Sequence, residues 1–144
     1  MRPSATLRRV RALGIDFGAK RIGVAVSEGE VALPVRTLER RGLAKDLEAL
    51  ADEARERGVE CVVVGLPVHL NGTRGPEAEA AERFARQVGE RLALPVHLVD
   101  ERWTSAEAAR ALRDTGRRGR DRREVVDAVA ASLILRAWLE SRGT

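Results

Sequence analysis

Asp16 ends the first apolar segment of the chain, and its position could support chemistry. In an extended strand, Ile15 and Phe17 would share one face. Asp16 would share the other face with Gly14 and Ala12, and such small neighbours leave room for another group to approach the carboxylate. An equally good explanation is that Asp16 caps the strand end before the glycine that follows.

Asp100 and Glu101 stand together at the end of the strand-like segment VHLVD. Adjacent strand residues point to opposite faces, so at most one of these carboxylates can aim directly into a given site. The other is expected to organise the turn with Arg102 and Thr104. Each carboxylate could equally be a solvated strand terminus.

Asp127 falls at helical spacing with Ala131, Ile134 and Trp138, a stripe that should face the core. A lone carboxylate there costs several kcal/mol unless it is paired or bound to a metal ion. An ion pair with one of the many arginines is the structural alternative to a catalytic role.

Asp121 and Glu124 have the D-x-x-E spacing that is typical of a helix start, so capping is favoured over chemistry for both. Glu124 also lies three residues before Asp127 on the same helix face. An accessory ligand role for Glu124 therefore stays open.

Three carboxylate positions on separate elements, in a chain with two histidines and one cysteine, indicate an oxygen-ligand site. Such ligands suit Mg²⁺ or Mn²⁺. Two such ions about 4 Å apart can activate water and stabilise the leaving oxygen in phosphodiester cleavage. The sequence therefore predicts metal-dependent cleavage of a phosphodiester.

The 144 residues carry 26 basic and 22 acidic side chains, a formal net charge of +4. Residues 1–11 and residues 113–123 each sum to +4, so the remainder sums to −4. Two arginine-rich patches of this kind suit a polyanion and are expected to hold substrate phosphates. The length favours one domain over residues 1–144 and excludes a two-lobed kinase.

No apolar run approaches the roughly 18 residues of a membrane span, and residues 1–11 lack the apolar core of a secretory signal. A lone cysteine excludes an intrachain disulfide. We therefore expect a cytoplasmic protein with no membrane partner.

Hydrophobic periodicity predicts five strands and four helices. The strands are expected at 10–17, 21–27, 30–38, 61–65 and 96–100, and the helices at 43–57, 76–92, 104–113 and 122–140. Thr104 is the expected N-cap of the third helix. A meander of three strands followed by alternating helices and strands predicts an α/β fold, a five-stranded mixed sheet flanked by helices, which is the ribonuclease H-like architecture.

The sequence resembles the YqgF/RuvX family of small bacterial proteins with a ribonuclease H-like fold. Four segments in the family's order carry the resemblance: GIDFGAKRIGVAVS (14–27), VVVGLPVHLNGT (62–73), VDERWTSAEA (99–108) and DAVAASLIL (127–135). The resemblance implies a nuclease that processes the 5′ end of pre-16S rRNA, with ribosomal precursor particles as partners. The alternative that it implies is a Holliday junction resolvase.

Carried over position by position, the family's acidic catalytic and metal-binding site falls on Asp16, Glu101 and Asp127. The choice of Glu101 over Asp100 rests on the resemblance alone. Further residues are expected near the site or on substrate phosphates: Arg21, Asn71, Thr73, Arg102, Arg117, Arg118, Arg120, Arg122 and Arg123.

The chain departs from the family's pattern at Trp103, where the family more often has an aliphatic residue. An exposed Trp could stack on a nucleobase, although a Trp that packs the loop is the simpler expectation. A second departure is that arginine replaces lysine in the basic stretch before Asp127, which preserves bidentate phosphate contacts.

Three other readings of the motifs were open. D-F-G at 16–18 resembles a kinase metal-binding motif, but the kinase loops that accompany it are missing. The phosphate loop of actin-like and sugar kinases also follows a strand-end Asp, but that class needs two domains around ATP. An inert nucleic-acid-binding module is the third. Because every apolar stripe is needed for the core, we expect a monomer or weak homodimer.

Overall fold

The computed structural model describes the backbone of residues 9–115 and 120–142 and the side chains of residues 9–111 and 125–142. The strands are β1 (Ala12–Phe17), β2 (Arg21–Glu28), β3 (Val31–Glu39), β4 (Cys61–Leu66) and β5 (Val96–Asp100). The helices are α1 (Leu43–Arg57), α2 (Pro76–Leu92), α3 (Ala106–Thr115) and α4 (Arg120–Arg142). A short 3-10 helix, Glu101–Trp103, follows β5.

The five strands form one mixed sheet in the order β3-β2-β1-β4-β5. The first three strands form an antiparallel meander, while β4 pairs parallel to β1 and β5 pairs parallel to β4. The predicted fold class is therefore confirmed. Because β1, β4 and β5 run in the same direction, their carboxyl ends meet at one edge of the sheet, and side chains that follow them can share a site.

Helices cover both faces of the sheet. The cluster that packs α1 and α2 on one face includes Ile15 and Val24, and the cluster that packs α3 and α4 on the other includes Ala25 and Val63. Val24 and Ala25 of β2 thus face opposite sides of the sheet, and β4 is buried on both of its faces.

Two glycines allow α4 to lie unusually close to the sheet. A Cβ placed on Gly23 would lie 1.9 Å from the backbone oxygen of Asp127, and one on Gly14 would lie 2.9 Å from the Cβ of Leu135. Gly23 is also the register partner of Asp16 across the β1–β2 pair. The missing side chain at Gly23 therefore places the Asp127 turn of α4 next to Asp16.

The helix bounds of α1 and α2 agree with the sequence prediction, and Gly58 ends α1 in the left-handed conformation at φ 62°. The expected start of the third helix at Thr104 is wrong, because α3 begins at Ala106. A 3-10 turn that we did not predict precedes it. The Asp100 side chain accepts a hydrogen bond from the backbone N–H of Arg102 and so tightens the chain into that turn.

The side chain of Thr104 caps the start of α3 as expected, although the helix itself begins at Ala106. The Thr104 hydroxyl donates to the Glu101 carbonyl at 3.0 Å and accepts from the Ala106 N–H at 3.1 Å, so it joins the 3-10 turn to α3. Among the described helices, none is long and apolar enough to cross a bilayer.

Candidate active site

One pocket is lined by three buried carboxylates that come from three different elements. Asp16 is the penultimate residue of β1, Glu101 begins the 3-10 turn after β5, and Asp127 lies on α4. All three residues are buried: Asp16 and Glu101 are each 6% exposed, and Asp127 is 3% exposed. The structure thus places together the three residues that the family resemblance selected.

Gly65 makes room for Glu101. A Cβ at this position, near the end of β4, would lie 2.5 Å from the Oε2 atom of Glu101. Any larger residue would push the carboxylate out of its place. Sequence analysis did not single out Gly65, because only the register between β4 and the end of β5 shows what it faces.

Arg110 of α3 joins two of the carboxylates. Its Nη1 atom donates to Oδ1 of Asp16 at 3.1 Å, and its Nη2 atom donates to Oε1 of Glu101. Sequence analysis missed this residue. The available signal was its spacing, because Arg110 lies four residues after Ala106, which is fully buried, and so shares the inward face of α3.

Arg21 binds the third carboxylate. Its Nε atom, at the start of β2, donates to Oδ2 of Asp127 at 2.7 Å. The expectation that Arg21 lies near the site agrees with this geometry, and the ion pair is also the structural alternative that we weighed for Asp127. Two guanidinium groups therefore partly neutralise three carboxylates in this pocket.

The pKa of Asp16 is raised from 3.8 to about 6. Burial is the main cause, and the neighbouring charges of Glu101 and Asp127 add to it, while Arg110 opposes it. Each of these effects except that of Arg110 disfavours the ionised carboxylate. Three carboxylates face two guanidinium groups in this pocket, and an excess of negative charge of this kind attracts a further cation.

Asp100 lies outside the pocket lining and organises the turn. Its carboxylate accepts from the Arg102 guanidinium at 2.7 Å, and the pKa of Asp100 is lowered by these hydrogen bonds. Arg102 also donates to the carbonyl of Leu70 at 3.3 Å. Asp100 and Arg102 thus tie the β4–α2 loop to the 3-10 turn, while Glu101 faces the pocket.

Asn71 and Thr73 belong to the exposed loop between β4 and α2 and do not line the pocket. The Asn71 Oδ1 atom accepts from both the backbone N–H and the hydroxyl of Thr73, at 3.0 and 2.7 Å. These contacts shape the loop internally. Pro67 and Glu77, at the two ends of the loop, do reach the pocket lining.

The basic patches differ in their relation to the pocket. Arg9 and Arg11 lie before β1, at the end opposite Asp16, and they form surface ion pairs with Glu30 and Glu28 at 4.0 and 3.0 Å. The N-terminal patch, as far as it is described, therefore does not support the expectation that both patches hold phosphates at the site.

The second patch, residues 113–123, comes before Asp127 in the chain, and its last residues form the start of α4. Arg117 and Arg118 lie outside the described residues, and Arg120, Arg122 and Arg123 belong to α4 with side chains that lie outside them as well. Their contact with substrate stays a prediction. The capping-box role predicted for Asp121 and Glu124 is wrong, because α4 begins at Arg120 and Asp121 therefore lies inside the helix and not at its N-cap.

The donor chemistry fits a hard divalent cation, because the three candidate ligands are all carboxylates. In the arrangement shown, the described side chains include no group of three or more acidic, His or Cys residues that could hold a metal ion. Arg110 bridges Asp16 and Glu101, and Arg21 binds Asp127. A cation in this pocket would therefore bind carboxylates that are already in contact with these arginines.

The family profile of RuvX, described as "Holliday junction resolvase", matches residues 10–141. The chain belongs to the RuvX family. This confirms the resemblance that the four sequence segments indicated.

Two RuvX-like relatives are similar over nearly their whole length. One from Moorella thermoacetica is 46% identical over 136 residues, which cover 93% of this chain and 97% of the relative. One from Anaeromyxobacter dehalogenans strain 2CP-C is 47% identical over 135 residues, with 92% and 98% covered. Both carry the name "Putative pre-16S rRNA nuclease".

The fold of this RuvX chain is similar to that of RuvC from T. thermophilus, solved with a Holliday junction substrate. The TM-score is 0.60 at 14% identity, with 93% of this chain and 96% of RuvC covered. At 14% identity, the likeness establishes the fold alone. A conclusion about the chemistry must rest on the residues of the pocket.

Proposed function

We propose that this RuvX chain is a metal-dependent nuclease that hydrolyses phosphodiester bonds and processes the 5′ end of pre-16S rRNA in the cytoplasm. The observation that carries the proposal is the convergence of Asp16, Glu101 and Asp127 in one pocket. The substrate class follows from the relatives named as nucleases. Ribosomal precursor particles are the corresponding partners, and a monomer or weak homodimer is sufficient for cutting one strand.

Asp16, Glu101 and Asp127 would hold Mg²⁺ or Mn²⁺. Bound there, such ions supply an activated water and charge stabilisation at the leaving oxygen. Burial is the main cause of the raised pKa of Asp16, and the neighbouring carboxylates of Glu101 and Asp127 add to it. A divalent cation would supply positive charge and favour the ionised form that binds it.

The two pocket arginines have a second task in this proposal. Arg110 and Arg21 compensate the carboxylates in the arrangement shown. Once the carboxylates bind a cation, each guanidinium can turn to a phosphate oxygen, for which its fork of donors is suited. Arg110 and Arg21 would thus offset the negative charge of the pocket while the protein folds. The same two side chains would later bind the substrate.

The arginine-rich stretch at 113–123 is proposed to bind the flanking phosphates. Arg120 precedes Asp127 by seven residues on α4, a distance of about 10 Å along the helix axis. Cations at that distance can contact a strand that passes through the pocket.

The test is a cleavage assay with Mg²⁺ or Mn²⁺ on single-stranded RNA, single-stranded DNA and a four-way junction. Asp16→Asn is expected to lower the cleavage rate at least about 100-fold, since metal stabilisation of the transition state is worth several kcal/mol. Binding and folding should be retained. Glu53→Gln is a matched control, because Glu53 is another buried carboxylate held by two arginines, Arg36 and Arg57, outside the pocket.

Each outcome decides among the candidate functions. Equal cleavage by the wild type and Asp16→Asn would refute the nuclease proposal. Symmetric cutting of the junction in preference to RNA would favour the alternative that the family description supports, a Holliday junction resolvase. Binding without metal-dependent cleavage would identify an inert nucleic-acid-binding module.

A further inference from the structure

Trp103 and Leu70 are large apolar side chains that the fold leaves in solvent. Trp103 is 74% exposed and Leu70 is 86% exposed. They are joined through Arg102, whose Cζ atom lies 5.3 Å from the centroid of the Trp103 ring and whose Nη1 atom donates to the Leu70 carbonyl. We call Leu70, Arg102 and Trp103 the Trp103 patch. The simpler expectation, that Trp103 packs the loop, does not agree with its exposure.

The Trp103 patch is held in place by hydrogen bonds. Three contacts at 2.7 to 3.1 Å join the Arg102 guanidinium to the Asp100 carboxylate, which also accepts from the Arg102 backbone N–H. The 3-10 turn that carries Trp103 closes with a bond from the Thr104 N–H to the Glu101 carbonyl. A partner of the Trp103 ring would therefore meet a backbone that is already ordered, which lowers the entropic cost of binding.

The charge on the patch favours a flat, uncharged partner. Asp100 neutralises Arg102, so the patch is a poor site for a phosphate. The exposed indole ring is the type of surface on which nucleobases stack.

The patch adjoins the candidate active site along the chain. Trp103 follows Glu101 by two residues in the same 3-10 turn, a rise of about 4 Å. The backbone of Trp103 therefore lies beside the pocket, while its ring is not part of the pocket lining. A base on that ring would belong to a nucleotide just outside the pocket.

We propose that Trp103 stacks on one unpaired nucleobase of the substrate beside the bond to be cut. This inference rests on the proposed function and narrows its substrate to a strand that is single-stranded at that position. A base inside a continuous duplex has both faces covered by its neighbours, whereas an unpaired base can present one to the ring.

The test compares Trp103→Leu with Trp103→Phe, because Phe retains an aromatic face and Leu does not. Binding to a fluorescently labelled single-stranded RNA and to the same sequence as a duplex is measured in EDTA, so that cleavage plays no part. We expect Trp103→Leu to bind the single strand about tenfold more weakly than Trp103→Phe, and both to bind the duplex equally. Matching melting temperatures would show that both variants fold.

Intrinsic fluorescence gives a second readout. The chain has two tryptophans, and Trp138 is stacked on His97 at 5.0 Å between ring centroids. Single-stranded RNA should quench the emission of the wild type and should quench Trp103→Phe much less. Equal affinities of the two variants, or equal quenching of wild type and Trp103→Phe, would overturn the inference. So would a concentration-dependent dimer that Trp103→Leu abolishes while RNA binding is unchanged.

The experiments distinguish failure of the nuclease proposal from failure of the stacking proposal at Trp103. Quenching and the tenfold difference without metal-dependent cleavage would retain the stacking site and refute the nuclease. Cleavage that depends on Asp16 but not on the residue at position 103 would retain the nuclease and refute the stacking site.

Discussion

At the scale of single residues, the pocket is a balance of buried charges. Asp16, Glu101 and Asp127 are each nearly inaccessible, and each is in contact with a guanidinium group. Burying a carboxylate without such a partner would cost far more than a small domain can tolerate. Arg110 and Arg21 therefore explain how the fold can assemble an acidic pocket before any cation binds.

The raised pKa of Asp16 predicts a pH-dependent cost to stability. A folded-state pKa of about 6, against 3.8, means that the folded protein binds its proton more tightly than the unfolded chain does. Stability is therefore lost as pH rises from about 4 to about 6, and the full cost, about 3 kcal/mol, is present above that range.

Asp16→Asn removes this titration, so its unfolding free energy should rise relative to that of the wild type by about 2 kcal/mol between pH 4 and pH 7.5, since part of the cost is already present at pH 4. Urea unfolding of both proteins in EDTA, at several pH values, measures this difference directly. A difference that stays constant across the range would show that Asp16 titrates normally in the folded protein.

At the scale of elements, the site depends on how closely α4 approaches the sheet. The backbone of α4 at Asp127 occupies the space that a side chain on Gly23 would need. Gly23 is paired with Asp16 across β1 and β2, so the same contact that packs the helix also sets the position of one carboxylate relative to another.

Gly23→Ala should therefore displace α4 and destabilise the protein by at least about 2 kcal/mol, since overpacking against backbone cannot be relieved by a rotamer change. Chemical denaturation measures the loss. Gly75→Ala is the control, because the new Cβ would meet only the ends of two side chains that can rotate, the Nε2 atom of His69 at 2.8 Å and the Oε1 atom of Glu77 at 3.3 Å. Equal losses in the two variants would contradict the close contact at Gly23.

At the scale of the whole molecule, the described N-terminal arginines lie at the end of β1 that is away from the pocket. Arg11 precedes that strand, and Asp16 lies five residues later, about 16 Å away along an extended chain. The arginine-rich stretch before Asp127 enters the molecule on the helix that carries the site. A net charge of +4 does not distinguish these two placements.

This placement predicts unequal contributions to nucleic-acid binding. Arg122→Ala combined with Arg123→Ala should weaken binding of single-stranded RNA and reduce the slope of log K against log salt by about 1.4, or about 0.7 for each lost phosphate contact. Arg9→Ala combined with Arg11→Ala should leave the slope nearly unchanged. Fluorescence anisotropy titrations over a range of salt concentrations measure both, and a larger effect of the N-terminal pair would refute this assignment.

The sequence by itself determined the elements and the inward direction of Asp127. The alternation in β2, the apolar spacing of α1 and the continuous run of β4 each follow a local period that burial imposes, and the structure agrees with them. The family's segments supplied the choice of Glu101, which local periodicity left open. The 3-10 turn was missed because it depends on a side-chain contact, that of Asp100 with the Arg102 N–H.

Only the tertiary structure decided which charges meet. Arg110 reaches Asp16 across 94 positions of the chain, and Arg21 reaches Asp127 across 106. No local period encodes such pairs, because they depend on how helices and strands pack after they form. The space at Gly23 and Gly65 and the exposure of Trp103 are set by the same packing.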